Sequence, residues 1–168
     1  MVPRGRGRGQ RAGQKRGPLT GPNPVDRGKL GSKLHVLTDA AGLPLAVAVS
    51  AANTHDSQAL IPLVQAVPAI RSRRGPRRRR PAKLHADKGY DYEHLRTWLR
   101  ARRITPRIAR RGVESSTRLG RHRWVVERSF AWLTGYRRLT IRYERSARLF
   151  TAFLTLAAAL TCYEKLTT

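Results

Sequence analysis

The feature that most constrains this chain is an apolar and polar alternation that folds back on itself. Lys33 to Thr38 (KLHVLT) and Leu43 to Ser50 (LPLAVAVS) flank Asp39-Ala-Ala-Gly42, whose residues suit a tight turn. The pair predicts a β-hairpin. Thr54 or Asp56 can then cap a helix in which Leu60, Leu63, Val64 and Val67 recur at helical spacing, closing near Pro68. Lys83 to Asp87 (KLHAD) predicts a short strand, and Asp91 the cap of a helix over YEHLRTWLRAR. Ile104 to Ala109 (ITPRIA) reads as a further strand, which Pro106 assigns to a sheet edge. After a basic loop from Arg110 to Gly120, one helix is expected from Arg121 to Tyr136 and a last, largely apolar one from Ala147 to Lys165. Strands alternating with helices behind an opening hairpin give an α/β fold.

Charge sets the class of partner. With 35 Lys plus Arg against 10 Asp plus Glu, the net charge of +25 favours a polyanion. At 40% hydrophobic residues the chain still has material for a core, so a wholly disordered polypeptide is set aside. Residues 1–19 hold six basic residues, five glycines and no acid, and read as a flexible basic arm. Thr20 to Ser32 is Pro- and Gly-rich and reads as an extended loop leading into one domain over 20–168. Residues 71–80, RSRRGPRRRR, form an arginine-rich loop in which Arg77, Arg78, Arg79 and Arg80 suit phosphate oxygens. The single cysteine, Cys162, excludes an internal disulfide and argues against a cysteine zinc site. No leading segment has the apolar core of a secretory signal, and the apolar stretch Leu149 to Leu160 is short for a membrane span, so no membrane partner is expected.

Ten acids can each be weighed as ligands for hard cations, since phosphodiester chemistry needs few carboxylates. Asp87 stands out because it ends a strand and opens the turn Asp87-Lys88-Gly89-Tyr90-Asp91, at the strand end where α/β sheets commonly bind ligands. The plainer account makes Asp87 an Asx turn and Asp91 a cap. Glu127, in RWVVERSFAWL, falls opposite the apolar arc of its helix, beside Arg123 and Arg138. An exposed Arg123–Glu127 ion pair and a metal-binding carboxylate fit that position equally well. Asn53, His55 and Asp56, in NTHDS, read as a cap with a solvated histidine, or as support at the rim of a site.

Taken together, TGPNPVDRGKLGSKLHVLTD, GLPLAVAVSAANTHDS, LHADKGYD, TPRIARRGVESS and LGRHRWVVERSFAWLTGYRRLTIRYER resemble the DDE transposases of bacterial insertion sequences, in the broad insertion sequence 4 and 5 groupings. The resemblance covers Thr20 to Leu166. It implies a ribonuclease H-like mixed sheet flanked by helices, three acids holding two Mg (or Mn) ions, and cleavage and joining of DNA. Asp87 matches the second acid and Glu127 the third, so both are the expected catalytic and metal-binding residues. Arg123 and Glu127 match the Arg and Glu of the family's Tyr, Arg, Glu, Lys signature. Its Tyr and Lys positions hold Gly120 and Thr134, leaving Arg137 or Arg138 to supply the cation. Lys88 joins these arginines as an expected DNA contact.

The family's first Asp belongs to a strand ahead of Thr20, where no acid precedes Asp26. The resemblance thus implies the carboxyl-terminal part of a transposase, first strand missing or degenerate, weak or inactive alone. Self-association or association with a full-length transposase is expected, in the bacterial cytoplasm at the nucleoid. The competing expectation is a noncatalytic nucleic-acid-binding protein, for instance one associated with the ribosome.

Overall fold

The computed structural model describes residues 10–12, 17–24, 29–71, 75–110, 112 and 116–167. Nine residues that alternate along Leu30–Thr38 form β3, and Pro44–Ala51 forms β4, paired antiparallel with Val36 opposite Val47. The turn between them closes because Asp39 Oδ1 accepts the backbone N–H groups of Ala41 and Leu43, both at 2.8 Å. Gly42 supplies the positive φ of 88° that this turn needs.

Two short strands add to β3. Gln10–Ala12 (β1) and Gly21–Pro22 (β2) both pair antiparallel with its first residues. The segment expected to be a free arm thus contributes three residues of ladder, because the β3 edge offers backbone groups that need partners. Residues 1–9 and 13–16 of that arm lie outside the described residues.

Beyond the hairpin come α1 (Ser57–Gln65), β5 (Lys83–Ala86), a 3₁₀ turn (Lys88–Tyr90), α2 (Glu93–Ala101) and β6 (Thr105–Ile108). Strand β6 runs parallel to β5, with Pro106 opposite Leu84 in a two-stranded sheet where each strand is an edge. The chain then forms α3 (Ser116–Gly135), the single turn α4 (Arg137–Thr140) and α5 (Ala147–Thr167). Helix α3 starts inside the segment expected to be a loop. The architecture is mixed α/β, and among the described residues no strand joins the antiparallel sheet to the parallel one.

Strand β3 is the middle layer, buried from Gly31 to Thr38. Leu37 and Ala46 face one core, with Leu60 and Leu63 of α1, Leu84 of β5 and Leu95 and Leu99 of α2. Leu34 and Val36 face a second, with Leu133 of α3, Leu139 of α4 and Phe150 and Leu154 of α5. Each such fully buried side chain contributes about 1.5 to 3 kcal/mol. Period-two alternation in one strand therefore serves two cores, and a one-residue slip of register would exchange them.

Two expected caps are corrected. Asp56 occupies the N-cap position of α1 without a capping hydrogen bond, because its carboxylate pairs with Lys33 Nζ at 3.0 Å. Asp91 does not cap α2, whose N-cap is Tyr92; its Oδ1 instead receives Arg96 Nη2 at 2.6 Å and Nε at 3.0 Å.

Candidate functional site

Strand β5 delivers Asp87 at its carboxyl end in extended conformation, with φ −77° and ψ 173°. Its Oδ1 accepts the Gly89 N–H at 2.9 Å, which starts the 3₁₀ turn. A Cβ on Gly89 would lie 2.9 Å from that same oxygen, so the turn needs glycine for close approach. The Asx-turn account of Asp87 is therefore correct as local structure, and it leaves open what else the carboxylate does.

Behind the turn sits Tyr90, 1% exposed. Burial raises its phenol pKa well above the ordinary value, and the charges of Asp56 and Asp87 add to the rise. Both carboxylates thus act on one buried phenol. Asp56 arrives from the other side of the chain, held by Lys33, whose ammonium also donates to the Thr54 carbonyl at 2.7 Å. Two residues along β3, His35 Nε2 meets Ser50 Oγ at 2.7 Å. Burial lowers the His35 pKa to about 4; Asp56 opposes that shift and Lys33 adds to it.

The loop carrying Asn53, His55 and Asp56 is joined to the Asp87 turn. Tyr92 Oη lies 3.1 Å from His55 Nε2, with the rings edge to face. His55 Nδ1 accepts the Ser57 N–H at 3.2 Å and meets Ser57 Oγ at 2.7 Å, so a neutral ring carries its proton on Nε2, toward Tyr92. His55 is exposed yet fixed. Asn53 packs against β2, where a Cβ on Gly21 would fall 2.0 Å from its Oδ1. Arg96 completes the frame by donating to the Ile108 carbonyl at 3.0 Å, which ties the turn to β6.

Glu127 stands on the exposed side of α3. The two residues that follow it anchor the helix to the hairpin turn: Ser129 Oγ donates to the Gly42 carbonyl at 2.6 Å, and Arg128 Nη2 donates to the Ala41 carbonyl. Arg128 also lies over Trp124 at 4.5 Å and Trp132 at 5.0 Å. The Arg123 side chain lies outside the described residues, and with it the expected Arg123–Glu127 pair.

The expected phosphate contacts divide. Arg77, Arg78, Arg79 and Arg80 are exposed on a loop closed by paired Ile70 and Arg78 backbone bonds of 2.9 Å. Arg137 and Lys88 are exposed as well. Arg138 is committed to Glu144 at 2.9 Å and lies over the Phe153 ring. Lys33, His35 and Tyr90 were absent from the sequence expectations; the available signal was a Lys and a His two apart on one face of a strand otherwise apolar.

Asp87 and Asp56 supply oxygen ligands of the kind hard cations take, but Asp56 is neutralised by Lys33. Among the described residues no group of three or more His, Cys, Asp or Glu side chains is arranged to hold a metal ion. The donors among the described residues do not make up a complete two-ion site.

Residues 6–162 match the family described as the transposase DDE domain. The chain is 50% identical over 149 residues to the candidate transposase for insertion sequence element IS402 of Burkholderia cepacia, covering 89% of this chain and 71% of that protein. It is 32% identical over 129 residues to the transposase for IS1106 of Neisseria meningitidis serogroup B, covering 71% of this chain and 40% of that one. A third relative, the candidate transposase for IS6501 of Brucella ovis, is 28% identical over 135 residues, with 77% of this chain and 95% of the relative covered. No solved structure matches the chain. The match across nearly its whole length shows that this chain belongs to the transposase DDE domain family of bacterial insertion sequences.

Proposed function

We propose that the chain is a DNA-binding portion of an insertion sequence transposase, ribonuclease H-like in ancestry, in which Asp87 and Glu127 are two of the three family acids. The observation that carries this reading is Asp87 at the carboxyl end of β5, its turn glycine in contact and a second carboxylate, Asp56, acting on the same Tyr90. The family is generally divalent-metal dependent; no acid precedes Asp26, where the family pattern expects its first Asp, so this chain by itself is expected to join DNA strands weakly or not at all. The remaining function is attachment to the phosphate backbone through a surface of net charge +25, in the bacterial cytoplasm.

Fluorescence anisotropy with duplexes of several unrelated sequences tests the binding. Similar affinity for all duplexes, falling steeply with salt, is expected. Binding that ignores salt, or no binding at low salt, would remove DNA attachment as the function.

A further inference from the structure

Helix α2 ends on a residue that its backbone does not favour. The Ile104 N–H bonds the Leu99 carbonyl at 3.0 Å and the Arg103 N–H the Arg100 carbonyl at 2.8 Å, a paired closure that sets Arg103 in the left-handed region at φ 56°. Glycine is the usual residue there, and a side chain costs conformational energy. The closure itself is well founded, since Leu99 and Ile104 are both buried in the first core. What Arg103 adds is a charge. Its side chain is exposed, whereas its neighbour Arg102 is already laid over the Trp98 ring at 3.9 Å.

The parallel pairing of β5 with β6 fixes where that charge stands. The Thr105 N–H donates to the Ala82 carbonyl at 2.9 Å, so Arg103, two residues ahead of β6, sits beside the end of the arginine loop that runs into β5. Residues 57–86 and 94–113 contain no Asp or Glu, and they hold eight and seven of the 35 Lys and Arg residues. The pairing therefore lays two acid-free segments side by side. Lys83 opposes Thr105 and His85 opposes Arg107, on the face of the sheet away from the buried Leu84, Ala86 and Ile108. Lys83 and Arg107 are exposed there. Asp87 lies beyond the other end of β5, a strand of four residues or about 13 Å.

We propose that the amino end and outer face of the β5–β6 sheet anchor the backbone of a DNA duplex, with Lys83, Arg103 and Arg107 on its phosphates. This rests on the DNA-binding reading above and gives that reading a surface. A cation held in an unfavourable backbone conformation, among other cations and with no acid in its own segment, is kept for an external anion. The duplex form follows from the rings. Arg102 takes the Trp98 ring, so the described residues of this face offer no free Phe, Tyr or Trp on which unpaired bases could stack. Contact is to phosphates alone and carries no base information.

Fluorescence anisotropy of the full chain with a duplex, titrated across salt, tests the surface. Arg103→Gly should lower the slope of log K against log[salt] by about 0.9, and the affinity at about 0.1 M salt by about eightfold. Its urea midpoint should hold or rise, because glycine relieves the left-handed conformation. Arg103→Lys keeps the charge and should keep the slope. Adding Lys83→Ala and Arg107→Ala to Arg103→Gly should lower the slope by about 2.7. The wild type should bind the duplex more tightly than an oligo(dT) strand of the same length.

An Arg103→Gly variant with the wild-type slope, or an Arg103→Lys variant as weak as Arg103→Gly, would overturn the proposal and leave DNA binding to another surface of the chain. Tighter binding of oligo(dT), or a loss in Arg103→Gly confined to phosphatidylglycerol vesicles, would make a single strand or a lipid surface the partner, against the proposal. A wild type that binds no duplex even at low salt would remove the DNA-binding reading itself, and the proposal with it.

Discussion

Arg142 Nη2 donates to the Pro18 carbonyl at 2.8 Å, across 124 residues of sequence. The same guanidinium donates to the carbonyls of Leu19, Glu144 and Arg145 and to Ser32 Oγ, and it lies 5.2 Å over the Phe150 ring. One side chain, 2% exposed, thus holds the approach to β3 against the approach to α5. Leu19 sits there with φ 59°, a conformation costing about 1 to 2 kcal/mol that the Arg142 bonds offset.

Arg142→Ala should therefore be among the most damaging single changes, because it removes five hydrogen bonds at once and leaves the Pro18, Glu144 and Arg145 carbonyls without their guanidinium donor beside a cavity, while Ser32 and Leu19 keep only the bond between them. A loss of about 3 to 5 kcal/mol is expected. Arg142→Lys keeps the charge but reaches fewer acceptors, and should cost about half as much. Urea denaturation midpoints measure both, and an Arg142→Ala loss below about 1 kcal/mol would show that the five bonds are not the fastening inferred here.

Residue pairing of this reach explains which features were legible in the sequence. The β3–β4 hairpin and the Asp87 turn depend on neighbours within a few residues, and both were read from alternation and turn chemistry. Asp56 was read as a cap because capping is local, whereas its partner Lys33 is 23 residues away. Arg142 looked like one arginine among many, since its Ser32 and Pro18 partners are 110 and 124 residues distant. Strand β1 escaped notice because its Gly-flanked, basic sequence has no strand propensity of its own and pairs only because the β3 edge is open.

His35 makes stability depend on pH. Its folded-state pKa of about 4 lies below the ordinary 6.5, so the unfolded chain binds the proton more tightly. Stability is fully present above pH 6.5 and is lost as pH falls toward 4, by about 3 kcal/mol for the full shift. His35→Asn keeps a polar group near Ser50 without a titrating ring, so its unfolding free energy should change less over that interval. Equal slopes for wild type and variant would assign the acid sensitivity to another group.

The arginine loop should set the salt dependence of DNA binding. If Arg77, Arg78, Arg79 and Arg80 each neutralise one phosphate, replacing all four with Ala lowers the slope of log K against log[salt] by about 3.6. Affinity should fall uniformly across duplex sequences, because phosphate contacts carry no base information. An unchanged slope would move the contact surface elsewhere, to Lys88 and Arg137 first.

Catalysis should be absent or very weak in this chain alone. A two-metal site needs ligands from all its acids at once, and a displacement of about 1 Å can cost a hundredfold in rate. Asp56 is one described candidate for a third acid, because its charge and that of Asp87 both act on Tyr90, but it is tied to Lys33 at 3.0 Å. Freeing it would leave a lysine 8% exposed without its counter-ion, a change costing on the order of 3 to 5 kcal/mol. The assay is joining of element-end DNA with Mg²⁺ or Mn²⁺. It compares the chain, Asp87→Asn, Glu127→Gln, Lys33→Met, and a version in which the residues ahead of β3 are replaced by a strand ending in Asp. Activity is expected only in that last version, and it should vanish again when Asp87→Asn or Glu127→Gln is added. Robust joining by the unaltered chain, abolished by Asp87→Asn, would show that its own acids suffice; activity appearing in Lys33→Met would identify Asp56 as the acid that the ion pair withholds.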